Sequence, residues 1–167
     1  MSLRALIYIS PESVKHDSVC AMSNQFTVRE FCMSDYDAAY TLWEASEGIG
    51  LSAADSRGNM EFFLSRNPGL SFVAESSVGS LVGVVLGGYD GRRGYLHHCA
   101  VTRACRGQGI GRALVDHSMA ALAALGMRKC HVFVVADNEE GRKFWRRVGW
   151  EERTTILVMS KDVQRGT

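Results

Sequence analysis

The segment Arg106-Gly107-Gln108-Gly109-Ile110-Gly111 carries the sharpest chemical signal in the chain. Glycines at alternate positions allow a tight turn whose amide N–H groups stay uncovered. An apolar, strand-like run from Tyr95 to Val101 precedes the segment, and a helical pattern from Ile110 to Leu125 follows it. Where such a turn opens a helix, its free amides and the positive end of the helix dipole make an anion site. The natural occupant is a phosphate or pyrophosphate. Spelling narrows the choice. No Gly-x-x-x-x-Gly-Lys-Ser/Thr string occurs, and a Gly-x-Gly-x-x-Gly pattern begun at Gly107 meets Arg112 at its sixth position.

The spelling that fits is Arg-x-x-Gly-x-Gly, on Arg106, Gly109 and Gly111. It resembles the acyl-CoA pyrophosphate loop of the GNAT superfamily of N-acyltransferases. About 30 residues on, Asn138-x-x-Gly141-x-x-Phe144-Trp145-x-x-x-Gly149-Trp150 resembles the superfamily's second signature, with the strand-like run Cys130 to Val135 between the two. Leu96 to Val101, ending in Ala100-Val101, is similar to the strand that precedes the loop in that family. The resemblance spans roughly residues 26 to 161, and the turn from Gly87 to Gly94 is similar to one in small bacterial members of unassigned substrate.

The elements that must position these motifs follow from pattern. Phe26 to Glu30 alternates as a first strand. Ser34 is read as the N-cap of a helix over Asp35 to Glu47, ended by Gly48-Ile49-Gly50. A shorter helix covers Ser56 to Ser65, and Asn67-Pro68-Gly69 closes it. Ser71 to Glu75 and Leu81 to Gly87 form a hairpin, and Asp90 to Gly94 makes the next turn. After the loop come a helix capped by Gly126, the strand at 130–135, a helix from Asn138 to Arg147, and a last strand from Thr154 to Met159. The resemblance implies a GNAT-like α/β (α+β) fold: a mixed, mostly antiparallel sheet with splayed central strands and about four helices.

Composition sets the bounds. At 167 residues, with 46% hydrophobic and 22% charged residues, the chain fits one globular domain, here residues 26–161. Residues 1–25 are expected to be a loosely packed extension or to add a strand, and 162–167 a tail; Pro11, Glu12 and Asp17 argue against a signal peptide. A net charge of +1 gives no reason to expect nucleic acid or an anionic membrane as partner, and no apolar run approaches a spanning helix. Five cysteines without a Cys-x-x-Cys pair suggest reduced thiols and a cytoplasmic setting.

The resemblance also implies roles. Acetyl-CoA would be the co-substrate and an amine the acceptor. The loop Gly107, Gln108, Gly109, Ile110 and Gly111 would hold the pyrophosphate, with Arg106 and Arg112 adding charge-assisted bonds. Cys99, Ala100 and Val101 would offer backbone to the pantetheine arm, and an N–H near Cys99 or Ala100 would polarise the thioester carbonyl. Asn138 would bond the pantetheine amide or cap its helix, with Asp137 as a rival cap. Phe144 and Trp145 would pack on the cofactor. Trp145 departs from the family's usual Tyr; an indole N–H is donor-only and does not release its proton near pH 7. The leaving thiolate must then be protonated by water, by Tyr89 or Tyr95, or by the ammonium formed on attack.

Strand alternation puts His97 on the side of Tyr95 and Cys99, with His98 facing away. His97, a base or a base acting through water, is the first catalytic candidate, since histidine titrates near working pH. Tyr95 is the second, or a wall of the acceptor pocket. Trp43, Glu44, Glu47 and Asp55 are candidate walls on the acceptor side. Arg92, Arg93 and Arg103 can steer an acidic acceptor or the CoA phosphates, or remain solvated. No zinc spacing joins His97, His98, Cys99, His117 and His131, so no metal is expected. A homodimer is an expectation from the resemblance alone. Two other readings remain: an acyl-CoA-binding sensor without turnover, and a generic phosphate-ligand binder.

Overall fold

The computed structural model describes residues 25–163. The extension expected at 1–25 thus lies, Gln25 apart, outside the described residues. Strands β1 (Phe26–Glu30), β2 (Phe72–Ser76), β3 (Leu81–Tyr89), β4 (Gly94–Val101) and β5 (Cys130–Val132) form one sheet in chain order. All neighbours are antiparallel except β4 and β5, which are parallel. A parallel pair needs a crossover, and α3 (Ile110–Ala124) supplies it. The other helices are α1 (Tyr36–Glu44), α2 (Arg57–Arg66) and α4 (Glu139–Arg147).

β3 is the central strand, and its sequence shows it. Residues 82–88 are all buried, so the strand reads as a continuous Val/Leu/Gly run instead of an alternation. Val85 joins Leu96, Leu114, Leu122 and Trp145 in the core under α3 and α4. Val84 and Leu86 join Phe31, Trp43 and Met60 in the core under α1 and α2. Successive side chains of one strand thus feed two layers. The segment that enters β2 meets β3 without room for a side chain at Gly87: a Cβ there would collide with the Leu70 carbonyl oxygen. The Gly87 N–H donates to the buried Ser71 hydroxyl at 3.1 Å, and the Ser118 hydroxyl donates to Leu70 O at 2.9 Å. The crossing is sealed by polar groups that all have partners.

Several expectations are refined. The first helix opens on a 3-10 turn, Met33–Asp35, capped from Cys32 rather than Ser34: the Cys32 N–H donates to Asp35 Oδ2 at 2.9 Å. The carboxylate reaches that amide where the Ser34 hydroxyl does not. α1 ends at Glu44, and β5 is only three residues long. The strand expected at Thr154 to Met159 does not form. Glu152 is tied to Arg142 and Arg146 of α4 at 2.7 and 2.8 Å, and beyond it the chain is coil with Leu157 and Met159 exposed. Alternation can propose a strand but cannot supply the neighbouring edge whose hydrogen bonds make one. The thiols are also not uniform. Among the described residues Cys32, Cys99 and Cys130 are free, whereas the buried Cys105 is disulfide-bonded.

Gly87→Ala should therefore cost about 3 kcal/mol, the upper end for overpacking a tight core, because the obstacle is backbone. Chemical denaturation of the variant tests this; a loss below about 0.5 kcal/mol would show that β2 and β3 can part freely.

Candidate active site

β4 and β5 pair only at Gly94–Cys130, Tyr95–His131 and Leu96–Val132. Beyond Leu96, β4 keeps β3 on one side and has lost β5 on the other. The space between His97–Val101 and residues 133–135 is a cleft of about 710 Å³, floored by the glycine loop and walled by α4. Backbone groups on a strand edge without a partner are free to bond an extended ligand.

The loop has the conformation its glycines permit. Gly107 and Gly109 have φ of 80° and 86°, the left-handed region, and Gly109 is the N-cap of α3. The first helical bond runs from Ala113 N to Gly109 O at 3.0 Å. The N–H groups of Ile110, Gly111 and Arg112 precede that bond and have no acceptor within the helix, so they remain available to an anion. Gly111 serves another purpose. A Cβ there would lie 3.0 Å from the Phe144 ring, so glycine lets α4 close against α3. The side chain of Ile110 is buried in the core, leaving its amide as the part that can serve a ligand. Arg106 and Arg112 line the cleft while bonding backbone: Arg106 Nε donates to Val101 O at 3.1 Å, and Arg112 to Arg147 O at 3.2 Å. Gln108 lies in the loop but not among the lining residues.

On the opposite wall, Asn138 caps α4, its Oδ1 accepting from the Gly141 N–H at 2.8 Å. Asp137 does not take that role. The Asn138 amide also fills the space a side chain at Gly48 would need, so the loop after α1 meets α4 at the cleft. Phe144 and Trp145 both line it. Trp145 is 8% exposed and packs edge-on against Phe144 and Trp150, with ring centroids 5.1 and 4.9 Å apart. It is therefore both core and cleft wall.

The main surprise is on β4. Val84 pairs with Ala100, but Leu86 pairs with His97, so β4 holds one residue more than β3 across this stretch. The extra residue is accommodated by His98, whose φ of 48° is the sole positive value at a non-glycine among the described residues. Alternation breaks there, and His97 and His98 both line the cleft. The expectation that His98 faces away is corrected: strand periodicity assumes no bulge. His98 is held from two sides. Its Nε2 lies 2.6 Å from Asp55 Oδ1, and its carbonyl accepts from Trp43 Nε1 at 3.0 Å. Asp55 is fixed in turn, because its Oδ2 accepts from Ser52 N at 2.8 Å and its backbone carbonyl accepts from the Tyr36 hydroxyl at 2.8 Å.

His97 sits differently. Its ring lies among Phe63, Tyr95 and Phe133, with centroids 6.1 to 6.5 Å away. Burial, with help from neighbouring His98, holds its pKa below the usual histidine value, so it is neutral at pH 7. Tyr95 is not brought to the cleft lining; its hydroxyl donates to Asp90 Oδ2 at 3.1 Å in the turn before β4. Trp43, expected as a pocket wall, is fully buried and stacks on Phe31. Its aromatic bulk belongs to the core, and its N–H supports the bulge. Glu47 does line the cleft, while Glu44 is exposed outside its lining. Cys99 lines it with a thiol pushed up to about 12 by burial, which makes a thiolate nucleophile unavailable near pH 7.

A glycine loop at a helix start, two parting parallel strands and an Asn-capped helix form one continuous site. The family model for the acetyltransferase (GNAT) family matches residues 30–150. The chain belongs to the GNAT family. Acetyltransferase ECA0875 of Pectobacterium atrosepticum is 35% identical over 131 residues, 78% of this chain and 92% of that protein. Acetyltransferase SG1711 of Sodalis glossinidius is 31% identical over 134 residues, 80% and 93% of the two. Among solved structures, Ard1 from Thermoplasma volcanium aligns with TM-score 0.66 at 24% identity, covering 74% of this chain and 81% of that one. Rv2747 from Mycobacterium tuberculosis, solved with CoA, aligns with TM-score 0.63 at 24% identity, covering 80% and 76%. This GNAT protein is thus an acyl-CoA-dependent acetyltransferase. No helix among the described residues is long and apolar enough to cross a membrane.

Two measurements check this geometry. Gly109→Ala forces a side chain into the left-handed region at a cost of about 1–2 kcal/mol, and KM for acetyl-CoA should rise about tenfold; an unchanged KM would detach the loop from donor binding. His97 is the second case. Its folded-state pKa is depressed, so the unfolded chain binds the proton first and stability falls as pH drops below the ordinary histidine range of about 6.5. His97→Gln should flatten that part of the stability–pH curve, and a curve of unchanged slope would contradict it.

Proposed function

We propose that this GNAT enzyme acetylates an amine, a small molecule or a peptide or protein amine, by direct attack on acetyl-CoA. The cleft that opens beyond Leu96–Val132 carries this reading. It gives a thioester arm a strand edge to lie on, and it ends at the amides of Gly107 to Gly111. In this reading Cys99, Ala100 and Val101 present the backbone that orients the arm, Asn138 and Phe144 close the opposite wall, and Arg106 and Arg112 add positive charge near the phosphates.

The reaction needs an amine that has lost its proton, and a thiolate that regains one. Imidazole side chains at 97 and 98 supply the first need. His97 is neutral and walled by aromatic rings, which suits an acceptor-lining residue that relays a proton. For the second need, Trp145 donates a hydrogen bond at most and Tyr95 is engaged with Asp90, which leaves solvent water, Tyr89 or the ammonium formed on attack as the proton source. Glu47 is the acidic group of the lining contributed by the loop after α1, and it favours a cationic amine.

The test is thiol release from acetyl-CoA against a panel of polyamines, amino acids and peptides, with each acetylated product confirmed by mass. Release that depends on a primary amine supports the reading. Tight acetyl-CoA binding without release on any amine would overturn it.

A further inference from the structure

Sequence reasoning puts the catalytic base at His97, but the neighbouring His98 has the better claim. Three observations converge on it. The bulge turns a residue that should face away onto the cleft lining. A non-glycine at φ 48° is a strained choice that the surroundings must enforce, and such outliers concentrate where function needs a side chain re-aimed. Finally, Asp55 Oδ1 lies 2.6 Å from Nε2. An ionised carboxylate can only accept, so Nε2 carries the proton and the neutral ring keeps its lone pair on Nδ1.

Asp55 is itself immobilised, through Ser52 N and the Tyr36 hydroxyl, in the 3-10 turn Ala53–Asp55. The turn lies between α1 and α2, and Asp55 stands 43 residues before His98 in sequence. Trp43 fixes the bulge from a second element. Among the described residues, the titratable neighbours to be considered are Asp55, His97 and Cys99, with Glu47 sharing the cleft lining and Tyr36 bound to the Asp55 backbone. Among the described residues no carboxylate bonds the His97 ring, and its burial weakens it as a base.

We propose that His98 is the general base of acetyl transfer and that Asp55 is its positioning residue, fixing the tautomer that presents Nδ1 and stabilising the imidazolium that forms. The proposal rests on the amine reading above for the identity of the proton donor. The amine nitrogen forms the N–C bond to the acetyl carbonyl carbon, the C–S bond breaks, and the electron pair leaves on the thiolate. The proton from nitrogen goes to His98 Nδ1 and on to solvent, and the thiolate takes one from water. No oxidant or further co-reactant is needed.

The experiment compares His98→Gln, His97→Gln and Asp55→Asn in kcat, KM for acetyl-CoA and pH profile, using the best amine found above. His98→Gln should lower kcat about 100-fold or more and abolish the acidic limb of kcat/KM, with KM for acetyl-CoA within about twofold of wild type. Asp55→Asn should lower kcat about tenfold and remove the preference of the His98 ring for the Nε2–H tautomer, because Nε2 loses its carboxylate acceptor. A merely structural role for Asp55 would leave that tautomer preference unchanged. An acidic limb abolished by His97→Gln and kept by His98→Gln would overturn the proposal. A readout independent of turnover comes from nitrogen-15 NMR of histidine-labelled wild-type protein. The His98 ring should show the Nε2–H tautomer without any acceptor or CoA present, and an Nδ1–H tautomer would overturn the assignment even if no amine substrate is ever found. Conversely, absence of turnover on every amine together with the Nε2–H tautomer would sink the acceptor reading and leave the Asp55–His98 pairing standing.

Discussion

One surplus residue in β4 organises this active site. The strand must stay paired with β3 along its whole length, because β3 is the buried centre of the sheet. It must also end its pairing with β5 after Leu96, because the cleft depends on a free edge. A flat, regular strand could meet the first demand but would alternate His97 and His98 to opposite faces. The bulge at His98 meets both. It keeps the ladder with β3 on either side, increases the local twist, and delivers two adjacent imidazoles to one cleft. The strained φ is held by bonds from outside the strand, the Trp43 indole on the carbonyl and Asp55 on the ring. The core under α1 and α2 therefore does more than stabilise the sheet. Its largest fully buried side chain, Trp43, is a bond donor to the bulge of β4.

The glycine loop and the cap of α4 are legible in the sequence as backbone features. Gly109 and Gly111 could be recognised because backbone geometry and close approach exclude other residues there, and such exclusions leave a spelling. Asn138 was legible for a similar reason, since a helix N-terminus has few acceptable caps. Most strands and helices followed from period and punctuation, to within a few residues. The acceptor side was not legible. The Asp55–His98 contact spans 43 residues of sequence and depends on a bulge that no local pattern announces. Asp55 was singled out only as a candidate wall, and Trp43 as another. Both belong to the support of His98, a relation visible only once α1, the turn after it and β4 are packed together.

The last strand illustrates the opposite failure. Thr154 to Met159 has the composition of a strand, but composition describes faces and says nothing of edges. β5 offers three residues of ladder, all taken up on one side by β4. Helix patterns are more dependable because a helix satisfies its own backbone, whereas a strand must borrow. The same logic explains why the glycine loop was clear and the surroundings of His98 were not: the first is self-contained in sequence, the second is assembled from α1, the turn after it and β4.

The two histidines show how environment divides labour between identical side chains one residue apart. His97 is enclosed by Phe63, Tyr95 and Phe133, surroundings that penalise charge and keep it neutral. His98 faces a carboxylate that is itself pinned by Ser52 N. A fixed carboxylate gives the His98 ring N–H a defined acceptor and so sets the orientation of the imidazole. The aromatic wall and the Asp55 contact thus set different conditions within one strand. The bulge is what lets both conditions act on the same cleft, since regular alternation would have spent one of the histidines on the other face of the sheet.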